Sequence, residues 1–395
     1  MKLLPLLSFL LIPIASANSL TYEDTQVCWE AWASQSFIKT SSNSVSGNST
    51  QGSFDRREIG VLASYELSPS VDLRGLVISD KYGLRTDGTP FVGVALADVH
   101  HSNFDYTAGV RIGRSKIDYG FYNTVRLNPS LRDTDFAPQG IYRDQFMYMA
   151  SFGDGIQAYY KRRVFGYEVS VEAGIARPNL TPMEDTVNVF LNLPPSVGTF
   201  DTSSSRVFST NLIVSDFDNG IVARYDRLDL RYPFKSVSPA LPSGDLHSIL
   251  HYAGVRKYFD GFDLTGEALY VQRTGSYWDS LIGDYNFGPP ITVGVSARFN
   301  VGPNTTVTVG ENAWYTNWSS KDGTDNHKYN PYAPKERYYS DDKNIGIKHV
   351  VNHWTAKLEY HKIKGTNTLS IVENADMNKM VADYTLISTS LTYKF

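Results

Sequence analysis

The sequence predicts an all-β transmembrane antiparallel β-barrel of 16 strands. Three observations lead there. Apolar and polar residues alternate with period two along most of the chain. Connections are short at every second position and long at the others. Aromatics make up 13% of the 395 residues, led by 26 Tyr and 20 Phe, as the girdles of a membrane barrel require. Composition by itself also fits a Tyr-rich soluble sandwich or propeller. The segregation of connection lengths does not, because a sandwich has no reason to keep its short turns on one rim.

The first 17 residues are expected to be a secretory signal. Lys2 is the basic start, Leu3–Ile14 the apolar run and Ala15-Ser16-Ala17 the small-residue cleavage site, leaving 18–395 as the barrel. Removing the signal takes away one lysine and no acid, so the net charge moves from −4 to −5, which gives no footprint for nucleic acid. No later run of about 18 apolar residues suggests a transmembrane helix. Cys28, the single cysteine, has no internal partner and is expected to pack near the first strand.

In chain order the expected strands are Cys28–Thr40, Arg57–Leu67, Val71–Lys81, Phe91–Ser102, Asp105–Ser115, Gly155–Arg163, Tyr167–Arg177 and Ser205–Ser215. Then come Ile221–Tyr232, Leu246–Phe259, Phe262–Thr274, Ile291–Asn300, Thr305–Trp318, Lys343–Val351, Trp354–Lys364 and Met380–Phe395. Tyr167, Val169, Val171, Ala173 and Ile175 oppose Glu168, Ser170, Glu172 and Gly174. Ile291, Val293, Val295, Ala297 and Phe299 oppose Thr292, Gly294, Ser296 and Arg298. Ile59, Val61, Ala63, Tyr65 and Leu67 form a third apolar face, with Leu62 an apolar intruder on the polar one. Thr305–Trp318 breaks phase, and a bulge near Gly310 or Glu311 would restore it. Charges belong on the watery face, since lipid penalises them by about 2–4 kcal/mol at mid-bilayer. The short connections are assigned to the periplasmic rim and the long ones to the extracellular rim.

One connection stands apart. Between Asp105–Ser115 and Gly155–Arg163 lies Lys116–Phe152, which has no periodic pattern. A loop of this length is functional or disordered. Its aromatics (Tyr119, Phe121, Tyr122, Phe136, Tyr142, Phe146, Tyr148 and Phe152) are too many for a solvated segment. Its charges balance, with Lys116, Arg126, Arg132 and Arg143 against Asp118, Asp133, Asp135 and Asp144. The expectation is a segment that folds inward and narrows a wet lumen.

The last strand sets Thr385, Ile387, Thr389, Leu391, Tyr393 and Phe395 against Leu386, Ser388, Ser390, Thr392 and Lys394. Ending on an aromatic, it resembles the terminal strand of Gram-negative outer-membrane porins. The stretches Asn48–Val61, Val110–Arg114, Gly120–Asn123, Arg132-Asp133, Pro138–Tyr142 and Gly153–Tyr159 also resemble the 16-stranded porins with an inward-folded third loop. The phosphate-selective and general types are the nearest. The phosphate-selective pattern is broken by a lumen without a regular ladder of arginines or lysines.

The resemblance implies an outer-membrane location and passive diffusion of small hydrophilic solutes and ions. It implies a homotrimer, contact with outer-membrane lipid and lipopolysaccharide, and a terminal strand read by the barrel-assembly machinery through Tyr393 and Phe395. It also implies a constriction made by the third loop and the facing wall. The candidates are Arg111, Lys161, Arg163 and Arg298 on the wall, and Arg126, Arg132, Asp133, Asp135, Arg143 and Asp144 on the loop. Opposed charges across a narrow channel set up a transverse field that sorts solutes. The competing reading of the same residues is a set of ion pairs that pin the loop to the wall. Glu168, Glu172, Arg224, Asp226, Glu267, Arg273, Lys357 and Glu359 are expected to face a wide, solvated lumen.

No enzyme is expected, and no cofactor or metal. His101-Ser102 and His247-Ser248 are sequence neighbours on strands, so their side chains point to opposite faces and cannot cooperate. The Asp322–Asp325 stretch has oxygen ligands suited to calcium, but its composition is equally that of a turn. A solute-selective channel and a non-conducting receptor or adhesin barrel are the alternatives to a general pore.

Overall fold

The computed structural model describes residues 18–22, 25–144, 151–179, 198–200, 204–236, 244–274, 290–329, 331 and 333–395. The expected signal (1–17) and the expected anchors Phe146 and Tyr148 lie outside them. Sixteen strands form the wall. They are β1 (Thr25–Thr40), β2 (Ser53–Ser68), β3 (Val71–Tyr82), β4 (Phe91–Ser102), β5 (Tyr106–Lys116), β6 (Phe152–Val164), β7 (Tyr167–Pro178) and β8 (Arg206–Asp216). The other half is β9 (Ile221–Ser236), β10 (Gly244–Tyr258), β11 (Phe262–Thr274), β12 (Ile291–Gly302), β13 (Thr305–Tyr315), β14 (Tyr339–Val351), β15 (Trp354–Lys364) and β16 (Asp383–Lys394).

Each strand pairs antiparallel with the next, and β16 returns to β1 through Leu386↔Thr40 to Lys394↔Trp32. The sheet is closed, so no edge leaves backbone donors unpaired, which is what hydrocarbon demands of a spanning structure. Short pieces at Asn18–Tyr22, Thr86-Asp87 and Gly198–Phe200 pair antiparallel with β1, β3 and β9. The seam is reinforced at its lower end. Tyr393 packs on Trp354 (4.7 Å between ring centroids) and Phe395 (4.8 Å), and the Phe395 N–H donates to the Ala31 carbonyl (2.9 Å).

Every connection that leaves an even-numbered strand is short, from 69–70 to 352–353, so these turns share one rim. The β6–β7 turn has Phe165 at φ 52° and Gly166 at φ 86°, the two positive values of a turn whose twist matches the flanking strands.

Alternation divides the wall as expected. Ile59, Val61, Val171, Ile175, Val293 and Val295 face out, and their polar neighbours face in. Leu62 is explained by the interior, where it packs with Trp32, Leu76, Ile78 and Phe152 in an apolar cluster on the inner wall of β1–β4. The expected bulge near Gly310 is absent. β13 pairs through Gly310↔Asn344 and Glu311↔Lys343 without a shift, and the irregularity lies instead at Asn300/Gly302. Outward-facing Glu311 meets Lys343 (3.4 Å) near the loop end of the strand, so phase is kept and the charge neutralised.

Val295, at the middle of β12, is 63% exposed on the outer face, and Ser296 faces inward. Val295→Arg is expected to lower unfolding stability in lipid vesicles by about 2–4 kcal/mol, whereas Ser296→Arg is expected to have less than half that effect. Urea titration of both variants checks the assignment of faces.

Candidate functional site: the 117–144 segment and the inner wall

The segment after β5 holds almost no regular structure beyond one helical turn, Gly120–Asn123. Its backbone polar groups must therefore be satisfied from the side, and the inner wall supplies the partners. The Gly120 N–H donates to Asp226 on β9 (2.7 Å), and Asn211 on β8 donates to the Asp118 carbonyl (2.8 Å). Gly120 itself has φ +65°, and a Cβ there would collide with the Tyr142 ring, so glycine is required. Further along, Asn128 donates to Glu30 on β1 (2.5 Å), and Lys357 on β15 donates to the Pro129 carbonyl (2.6 Å). Glu359 on β15 accepts from the N–H groups of Asp135 and Phe136. The Gly140 N–H donates to Asn312 on β13 (2.9 Å), and Thr292 on β12 donates to the Gly140 carbonyl (3.1 Å). Tyr142 donates to Glu267 on β11. The partners on β1 and β9 stand half-way round the closed sheet from each other.

Apolar packing follows the same course. Ile117, Tyr119, Ile141 and Tyr142 pack with Leu228, Leu230, Tyr252, Leu269 and Trp314 from the β9–β13 wall. Phe136 packs with Ile38, Tyr82, Ile363, Tyr384 and Leu386 from β1, β3, β15 and β16. No residue from 116 to 144 is fully exposed.

Charges form a second layer around Arg56 on β2. Its guanidinium donates to the Asp135 carbonyl (2.8 Å) and lies near the carboxylates of Asp135 (3.7 Å), Asp144 (3.7 Å) and Glu58 (3.8 Å). It also sits over the Tyr82 and Phe136 rings. Arg126 meets Asp144 (2.7 Å), Arg132 meets Glu58 (2.7 Å), and Ser388 on β16 donates to Asp135 (2.9 Å). Burial by itself would raise the Asp135 carboxyl, but Arg56, Arg132 and Lys357 hold it down to about 2. Burial likewise opposes ionisation of Asp144, and Arg126 and Arg56 overcome it, leaving its pKa below the ordinary value.

The ten constriction candidates fall into two groups. Arg126, Arg132, Asp135, Arg143 and Asp144 are buried, Asp135 to 1% exposure. Arg143 bonds Asn367 and stacks on Trp314. The others keep more contact with solvent. Asp133 (35% exposed) lies between Arg298 (3.4 Å) and Lys348 (3.8 Å). Arg111 (27%) bridges Glu172 (2.7 Å) and Asp98 (3.4 Å), and Lys161 (34%) meets Glu168 (2.8 Å). Arg163, at the end of β6, is exposed and 5.9 Å from the Phe217 ring.

The sequence reading missed Arg56, Glu58, Asp98, Tyr159 and Lys348. Asp98 stands directly across from Arg111 in the β4–β5 register, a signal available once the turn at 103–105 fixes the pairing. The idea that Arg224, Asp226, Lys357 and Glu359 face a wide solvated lumen is corrected. All four are buried against the 117–144 segment, because its unpaired backbone and charges need those partners. Asp322 accepts from the Thr324 N–H (3.2 Å) and hydroxyl (2.5 Å) and from Ser320 (3.2 Å), the use a turn makes of an aspartate.

No known family model and no curated protein sequence matches the chain. Solved structures do. OmpF of Salmonella typhi, in complex with daunomycin, superposes with TM-score 0.57 at 10% identity, covering 95% of this chain and 100% of that one. DcaP, an outer-membrane channel of Acinetobacter baumannii, gives 0.54 at 11% identity over 96% and 100%. An anion-selective porin from Comamonas acidovorans gives 0.54 at 12% over 94% and 100%. The chain has the fold of the outer-membrane porins. Within that porin fold, the interior chemistry described above belongs to this sequence.

Two outcomes test the anchoring. Asp135→Asn leaves Arg56 and Arg132 short of a buried counter-charge, at an expected cost of about 3–5 kcal/mol. Trypsin should then cut the folded protein after Arg126 or Arg132, sites protected in the wild type. The second outcome concerns acid. A carboxyl held below its ordinary 3.8 takes up its proton less readily in the folded state, so its stabilisation is complete above about pH 4. It is lost as pH falls toward 2, and peptic access to the segment should appear only below about pH 4.

Proposed function

We propose that the protein is an outer-membrane channel through which small hydrophilic solutes and ions diffuse passively. In this reading the 117–144 segment folds into the bore and crosses it from the β9 side to the β1 side. The observation that carries the proposal is the division of inward-facing charges. Where the segment packs, they are buried in fixed pairs. Along β3–β7 the pairs are not fully buried: Arg74, Arg111, Lys161 and Glu172 keep partial exposure beside Asp98 and Tyr159. Water and solute would pass along that wall. Basic and acidic groups alternate along that one wall, a polar lining that favours hydrophilic solutes over apolar ones. Asp133, with Arg298 and Lys348, lines a second approach on the β12–β14 side. The short-turn rim is then periplasmic and the long connections extracellular. Likeness in fold to several porins supports assembly as a homotrimer and a channel rather than an enzyme.

A non-conducting barrel is the second reading, and it is favoured by one fact: the segment reaches partners on opposite walls and exposes none of its residues fully. Purified protein in a planar bilayer separates the two. Stepwise conductance supports the channel, and its absence from a folded, inserted protein overturns it. Arg111→Gln removes a cation from the proposed path and should move the reversal potential toward cation selectivity. Asp133→Asn should move it the other way. Unchanged reversal potentials in both would take the solute path away from these walls.

A further inference from the structure

Behind the carboxylate that holds residues 135 and 136 stands a buried histidine. His361 on β15 is 4% exposed, and both of its ring nitrogens face acids. Nδ1 lies 3.0 and 3.1 Å from the two carboxylate oxygens of Asp342 on β14, and Nε2 lies 3.2 Å from Oε2 of Glu359. The same Glu359 oxygen accepts from the Phe136 N–H (3.2 Å), and its other oxygen accepts from the Asp135 N–H. The Phe136 ring stands edge-on to the imidazole, with 5.8 Å between centroids.

Asp342 reaches the segment by a second route. Its Oδ2 accepts from the Asn312 amide (3.4 Å), whose oxygen accepts from the Gly140 N–H (2.9 Å). Among the described residues Asp342 makes no hydrogen bond or ion pair to the segment itself. One carboxylate thus orients both side chains that hold this backbone, Glu359 through His361 at 135–136 and Asn312 at 140. An ionised carboxylate only accepts, and a neutral imidazole has one N–H. A neutral ring would therefore turn a lone pair toward one of its two acids, and the acids would repel each other across it. The other ionisable groups around the ring are Tyr82 on β3, Tyr384 on β16 and Arg85 in the connection after β3. With Asp342 and His361 they line a cavity of about 30 Å³, room for about two water molecules.

We infer that His361 is an imidazolium clasped between Asp342 and Glu359, and that Asp342 and His361 are positioning residues that fix the segment and so set the bore. The inference deepens the channel reading and rests on it for the bore alone. The test uses the full chain folded in detergent, with nitrogen NMR of the imidazoles, tryptic access and planar-bilayer conductance measured on the same preparations. Near neutral pH, where an ordinary histidine is mostly uncharged, both His361 nitrogens should carry the imidazolium signature, assigned by their loss in His361→Gln. Asp342→Asn should convert them to the neutral pattern. Both variants should speed tryptic cleavage of the folded barrel after Arg132 about tenfold, the factor for one charge-assisted hydrogen bond. The double variant should be cut no faster than either single one, because the two residues act through one chain of contacts. His349→Gln, on the outer face of β14, is the control and should match the wild type. A neutral His361 in the wild type overturns the clasp, and that signature decides its charge even where a variant does not fold. Wild-type protection in Asp342→Asn, or additive cleavage in the double variant, overturns the positioning role. In a conducting wild type, steps of unchanged size in both inner variants overturn its control of the bore. A wild type that shows the signature and protection but no conductance leaves the clasp standing and removes only the channel.

Discussion

Closure of the backbone hydrogen-bond ladder is the constraint from which the other features follow. In hydrocarbon an unpaired N–H or carbonyl has no water to turn to, so the sheet must meet itself, as β16 does on β1. Once it closes, each strand has one face in lipid and one in the interior, and side chains alternate between them with period two. The interior of a 16-stranded cylinder is too wide for wall side chains alone to fill. It therefore requires either water or a further piece of chain.

Here a long connection supplies much of that filling, and its chemistry shows what it costs to place irregular backbone inside a barrel. Its own N–H groups and carbonyls have few regular partners, so the wall offers carboxylates and amides in their place: Asp226, Glu359, Asn312 and Asn211. Acids held inside call for cations beside them: Arg224 meets Asp226 (2.7 Å) and Lys394 meets Glu30 (3.2 Å), while Arg126 meets Asp144 and Arg56 lies by Asp135 on the segment itself. Breaking such a network is costly because removing one member strands a desolvated charge on another. The segment is held by many small, mutually dependent contacts distributed over opposite walls, with apolar clusters between them.

The remaining inward charges stand apart from that network. Along β3–β7 the pairs are as short, Arg111–Glu172 at 2.7 Å and Lys161–Glu168 at 2.8 Å, but their cations keep partial contact with solvent, where pairing contributes little to stability. A single barrel thus holds the same residue types in two settings, distinguished by whether the 117–144 segment packs against them.

Period-two patterning by itself determined the number, order and approximate bounds of the strands, because a strand with one face in lipid has no freedom to shift register. It also determined which rim carries the short turns, and that the 116–152 connection is too aromatic to stay solvated. Among charged residues the sequence identified the face but not the fate. Nothing in the alternation of Arg111 and Gly109, or in the balance of Arg132 against Asp135, distinguishes a cation beside water from one beside a carboxylate on a strand five or ten positions away in the sheet. That distinction depends on where the long connection runs through the interior. Its route is set by partners such as Arg56 and Glu359, which lie 79 and 224 residues along the chain, in opposite directions, from the Asp135 they both contact. Local patterning fixes the wall because its partners are next in sequence. The contents of the bore are fixed by contacts whose partners only closure of the cylinder brings together.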